Sequence, residues 1–77
     1  MSNYLGEIKK VISEKTGLES YEIGSDSFIA DDLNIGEMEL MDILEELEDK
    51  FHVNNLVDNS DSFETIQDII DALEEHI

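Results

Sequence analysis

Between Gly36 and His52 the apolar residues Leu40, Met41, Leu44, Leu47 and Phe51 recur at i, i+1, i+4, i+7 and i+11. Glu37, Glu39, Asp42, Glu45, Glu46, Glu48 and Asp49 take most of the positions between them. This period predicts a helix with one apolar face and one wall of carboxylates. Such a helix is stable only when its stripe is buried against other elements, so the rest of the chain must supply partners for it. Met38 and Ile43 fall off the main stripe; at least one of them is expected to be partly exposed, which makes both candidates for a contact surface.

Two further segments carry matching stripes. Tyr4, Leu5, Ile8, Val11 and Ile12 predict a first helix over about residues 2–16, with Gly17 as its stop signal. Ile66, Ile69, Ile70, Leu73 and Ile77 predict a last helix that starts near Glu64 or Thr65 under a cap from Ser62. Between the first two helices, Leu18 to Ile35 loses the period and collects Gly24, Ser25, Asp26 and Ser27. A loop this long needs buried anchors, for which Leu18, Ile23, Phe28 and Leu33 are the candidates. The stretch after Phe51 is rich in turn formers and has room for one short helical turn around Leu56 to Asn59. The expected architecture is all-α: a small helical bundle, one domain over residues 1–77, with a long first connection.

Composition limits the function. A chain of 77 residues buries only about 60% of its unfolded surface and is expected to be marginally stable. Four Lys and Arg stand against 21 Asp and Glu, a net charge of −17, which argues against nucleic acid or an anionic membrane as a partner and favours basic proteins or cations. Stability should then depend on salt, because screening shortens like-charge repulsion. There is no cysteine, hence no disulfide, thiolate metal site or thiol nucleophile. No secretory-signal pattern and no run of eighteen apolar residues is present, so the expected location is the cytoplasm.

The order of these elements, together with Phe28-Ile29-Ala30-Asp31-Asp32-Leu33, Leu47-Glu48-Asp49-Lys50-Phe51 and Phe63-Glu64-Thr65-Ile66-Gln67-Asp68-Ile69-Ile70, resembles the acyl carrier protein family along nearly the whole chain. The resemblance implies a four-helix carrier fold, three main helices and one short one, and an acidic second helix recognised by basic patches on partner enzymes. It also implies a phosphopantetheine cofactor on the serine of an Asp-Ser-Leu motif. Here Gly36-Glu37-Met38 occupies that place, and no Ser, Thr or Tyr lies between Phe28 and Phe51. Glutamate has no hydroxyl to form the phosphodiester, so no cofactor is expected at Glu37.

Glu37 has two readings. Asn34-Ile35-Gly36-Glu37 resembles a capping box with Asn34 as N-cap and Glu37 at its third helical position, where a carboxylate is favoured. Alternatively, its charge imitates the phosphodiester of a loaded carrier when a partner's arginines dock. Asp26-Ser27-Phe28 reads like an attachment motif but lies too early, inside the loop; Ser25 is a weaker candidate still.

Other constellations carry less. Pairs such as Asp42 with Glu46 or Glu45 with Asp49 could hold a divalent cation weakly, although a solvated acidic face explains them as well. The run from Asp58 to Glu64 hints at an EF-hand loop but has Phe63 at the glycine position and Ile69 where a bidentate glutamate belongs. His52 and His76 have no partner at ligand spacing, and no phosphate loop or nucleophile motif is present, so no enzyme is expected.

The leading expectation is a monomeric, carrier-like docking module for acyl-chain synthases, acyltransferases or related carrier-dependent enzymes, in fatty acid, polyketide or similar biosynthesis. Its contact residues would be Glu37, Met38, Glu39, Met41, Asp42, Ile43, Glu45, Glu46 and Glu48. The alternatives are an active carrier modified at Ser27, or an acidic decoy or cation-binding protein that uses bulk charge.

Overall fold

The structure is a computed structural model in which residues 3–75 are described. Three α-helices, α1 (Tyr4–Thr16), α2 (Glu37–Phe51) and α3 (Ile66–Glu75), pack with a short 3-10 helix, Val57–Ser62, into the expected small bundle of carrier type. A second 3-10 turn, Ser20–Glu22, lies in the long loop, where the sequence shows no period. The expected short turn around Leu56 to Asn59 is therefore longer, and it is kinked at Asn59. Ser2, His76 and Ile77 lie outside the described residues.

The core is formed by the predicted stripes. Ile8, Val11 and Ile12 from α1, Leu44 and Leu47 from α2, and Ile66, Ile69 and Leu73 from α3 are all essentially inaccessible. Tyr4 packs edge-on against Phe51, with ring centroids 5.3 Å apart, and so joins the start of α1 to the end of α2. Lys50 Nζ lies 2.9 Å from Glu7 Oε1 across the same two helices. This hydrogen bond, followed by the ion-pair attraction, holds the Glu7 carboxyl below the usual carboxylate range and raises Lys50. Lys15 Nζ lies 3.5 Å from Glu46 Oε1, a second exposed link between α1 and α2.

The loop is anchored differently from the expectation. Ile23 and Leu33 are buried, but Ile29 and Ile35 are buried beside them, and Phe28 remains 47% exposed. The reason is local. Phe28 forms an isolated antiparallel bridge with Thr65, and along an extended strand successive side chains point to opposite faces. Ile29 takes the inward position and Phe28 the outward one.

This bridge sits among three backbone bonds that lace the loop to the start of α3. Ile29 N–H donates to Glu64 O, Ile66 N–H to Ser27 O, and Gln67 N–H to Ser25 O. Two of these satisfy N–H groups that a helix leaves unpaired in its first turn. Thr65 and Asp68 satisfy others reciprocally: Asp68 N–H donates to Thr65 Oγ1, while Thr65 and Glu64 N–H donate to Asp68 Oδ2. Thr65, not Ser62, is thus the cap of α3. Those two backbone donors hold the Asp68 carboxyl below its ordinary range.

Candidate functional site

The start of α2 corrects the expected capping box by two residues. Asn34 adopts a left-handed conformation with φ 56°, and Ile35 N–H donates to Ile29 O while its side chain enters the core. Neither residue can belong to the helix. Gly36 is the N-cap, its N–H donates to Glu39 Oε1 at 3.2 Å, and its carbonyl accepts from Leu40 N–H. Capping therefore falls to Glu39, and Glu37, the first helical residue, is exposed and takes no part in it.

Along α2 the nine proposed contact residues separate into three groups. Glu37, Met38, Glu39, Met41, Asp42 and Glu45 are exposed, and Glu46 is half-buried beside Lys15. Met38 is 82% exposed and Met41, placed in the core stripe by its spacing, is 37% exposed. Ile43 is completely buried and so cannot meet a partner. Its position lies between Leu40 and Leu47 on a stripe wider than sequence spacing suggested. Glu48 is half-buried and turned along the helix end: its Oε2 accepts from Leu56 N–H at 2.8 Å and from Val57 N–H at 3.0 Å. That carboxylate pins the Val57–Ser62 helix and is not free for docking. The apolar contribution to the outer face thus comes from Met38 and Met41.

A groove of about 350 Å³ opens beside the N-terminus of α2. Phe28, Ile29, Leu40 and Phe63 give it apolar walls, and Asp31, Glu37, Asp61 and Glu64 lie around it. Sequence reasoning missed this feature because its walls come from the loop, α2 and the turn before α3. Phe28, expected from the sequence to be a buried anchor, is instead exposed and walls the groove with the half-buried Phe63. Ser60 brings a hydroxyl to the same groove.

Ser27, the alternative attachment residue, is part of the loop's own bonding. Its Oγ accepts from Gly24 N–H at 3.0 Å and its carbonyl from Ile66 N–H, and the residues that follow form a turn. Asp42, Glu45, Glu46, Glu48 and Asp49 line a shallow depression with Lys15. Among the described residues no group of three His, Cys, Asp or Glu side chains is arranged to hold a metal ion. His52 ends α2 in a left-handed conformation and is exposed. No helix among the described residues is long and apolar enough to cross a membrane.

Fold and outer face together define a class: a small acidic helical bundle whose long first loop is laced to its last helix. Comparison with known proteins carries this further. No family model matches the chain. It is similar to the acyl carrier protein of Exiguobacterium sibiricum, 32% identical over 73 residues that span 95% of this chain and 92% of that one. It is also similar to the acyl carrier protein of Micrococcus luteus, 30% identical over 70 residues, 91% of this chain and 86% of that one. With the acyl carrier protein of Buchnera aphidicola subsp. Baizongia pistaciae it shares 23% identity over 77 residues, 100% of this chain and 99% of the relative. The chain belongs to the acyl carrier protein family, and it is a carrier-type protein, not an enzyme.

Proposed function

We propose that this chain is an acyl-carrier-like docking module: it binds carrier-dependent biosynthetic enzymes through the outer face of α2 but is not loaded with phosphopantetheine, because Glu37 stands at the attachment position. The observation that carries the reading is the chemistry at the start of α2. An exposed carboxylate is the first helical residue there, and Glu39, not Glu37, performs the cap. No hydroxyl lies between Phe28 and Phe51, so the residues at this helix start do not fit a covalent phosphopantetheine.

The outer face supports docking by its composition. Glu37, Glu39, Asp42, Glu45 and Glu46 surround the exposed Met38 and Met41. Carboxylates steer encounter with basic surfaces and select among them, and a flexible thioether supplies adaptable apolar contact. The partners that fit are the basic surfaces of acyl-chain synthases and acyltransferases. Repulsion at −17 opposes self-association, so the module acts as a monomer. Modification at Ser27 gains no support from the geometry, since its Oγ already accepts a backbone bond and no helix begins after it.

Two measurements test the proposal. Incubation with coenzyme A and a permissive phosphopantetheinyl transferase, beside an authentic carrier as control, should leave the intact mass unchanged; an arm-sized gain refutes the unloaded state. In a binding panel of carrier-dependent enzymes, the Glu45→Lys/Glu46→Lys variant should lose the partners that the native chain retains. Unchanged affinity would exclude this face, and indiscriminate binding that vanishes at moderate salt would identify an acidic decoy instead.

A further inference from the structure

The groove beside α2 differs from the outer face in shape and position. Phe28, Ile29, Leu40 and Phe63 wall a volume of about 350 Å³, within the range of roughly 300–1,000 Å³ typical of ligand pockets. Its charged neighbours are of one sign: Asp31, Glu37, Asp61 and Glu64. No lysine lines it. Lys9, Lys10 and Lys15 belong to α1 and Lys50 to the far end of α2, where Lys15 and Lys50 are paired with Glu46 and Glu7. Glu37 belongs to both surfaces, lining the groove and preceding Met38 on the outer face.

From this charge pattern we propose that the groove receives an apolar side chain of the docking partner, Leu or Phe, flanked by arginine or lysine. The inference rests on the docking reading above and adds a second contact around the N-terminus of α2. The apolar anchor displaces water from the walls contributed by Phe28, Leu40 and Phe63. The flanking cations meet Glu37 on one side and Asp61 and Glu64 on the other. Recognition of this kind combines a desolvated apolar anchor, which holds the complex, with surrounding charges that steer it. An anchor carrying acidic neighbours would face four carboxylates and be rejected.

The test uses two peptides of equal charge, acetylated and amidated: Arg-Arg-Phe-Leu-Arg-Arg, and the same peptide with Gly-Gly at its centre. Three forms of the full chain are compared. Ala30→Trp places an indole in the groove from an exposed turn position without altering charge. Gly36→Leu does so from the N-cap, whose φ is −77° and whose Cβ direction is open. Glu45→Lys/Glu46→Lys changes the outer face and leaves the groove residues intact.

The native chain should bind the Phe-Leu peptide about tenfold more tightly than the Gly-Gly peptide, the effect of burying one large apolar side chain. That ratio should fall to about one in both groove-filled variants and persist in the charge-reversed one, even as absolute affinity for both peptides drops. Equal affinity of the two peptides for the native chain would overturn the proposal, as would a ratio that survives both fillings. Neither result bears on the enzyme-binding panel, so failure of the groove and failure of the outer face remain separate.

Discussion

At the start of α3, two backbone N–H groups are taken up by the carbonyls of Ser25 and Ser27, and Thr65 and Asp68 close the rest of the turn between them. At the start of α2, by contrast, the helix supplies its own cap, a single bond from Gly36 N–H to Glu39 Oε1. Glu37, Met38 and Glu39 all face solvent there, whereas Ile66, the first residue of α3, is fully buried. Both helices are amphipathic and both begin after a loop. One start is committed to holding the long loop in place; the other is left with its carboxylates and a methionine unburied. Met38, 82% exposed, is the apolar side chain that this arrangement leaves outside the core at the start of α2.

The sharpest way to break this contrast is to truncate an early side chain at each helix start. Ile66→Ala should destabilise the fold by about 2–5 kcal/mol, enough to unfold much of a marginal domain. Met38→Ala should change stability by no more than about 0.5 kcal/mol. Urea unfolding of the two variants reads both values, and similar losses would erase the distinction.

A smaller effect is expected at the cap of α3. Asp68→Ala removes the acceptor of two backbone donors and should cost about 1 kcal/mol near neutral pH. Because the folded-state pKa of Asp68 is lowered, first by the Glu64 N–H and then by the Thr65 N–H, its contribution is present above the unfolded pKa and is lost as pH falls through the folded one. The gap between variant and native stability should therefore be full at about pH 7 and narrow below the ordinary aspartate value of about 3.9. Unfolding curves at several pH values check this; a gap that widens on acidification contradicts it.

The smallest change in stability, yet the most telling, is expected for Glu37→Gln. With Glu39 performing the cap, the thermal midpoint should stay within the range of an ordinary surface substitution, about 0.5 kcal/mol. Binding to a basic partner should weaken. Equal losses of stability and binding would return Glu37 to a structural role.

The bundle itself was legible from periodicity. The stripes of α1, α2 and α3 supply most of the buried core, because burial at helical spacing is a local property that a linear pattern records. The candidate face was partly legible: six of its nine residues are exposed, and Glu46 is half-buried. Ile43 and Glu48 were misplaced because their fates depend on neighbours distant in sequence, Ile43 on the packed helices and Glu48 on the backbone of Leu56 and Val57. The α2 cap was misread because Asn34 and Ile35 are held by the loop, through the bond from Ile35 N–H to Ile29 O.

By itself, then, the sequence determined the three amphipathic α-helices, the acid wall of α2 and the absence of a hydroxyl between Phe28 and Phe51, all consequences of residue type and spacing. Tertiary structure decided which end of α2 stays free, which carboxylate is spent on pinning a turn, and that Phe28, Leu40 and Phe63 share one groove. These outcomes arise where a backbone donor or an apolar surface must find a partner across the fold, and no local pattern states which partner it will be.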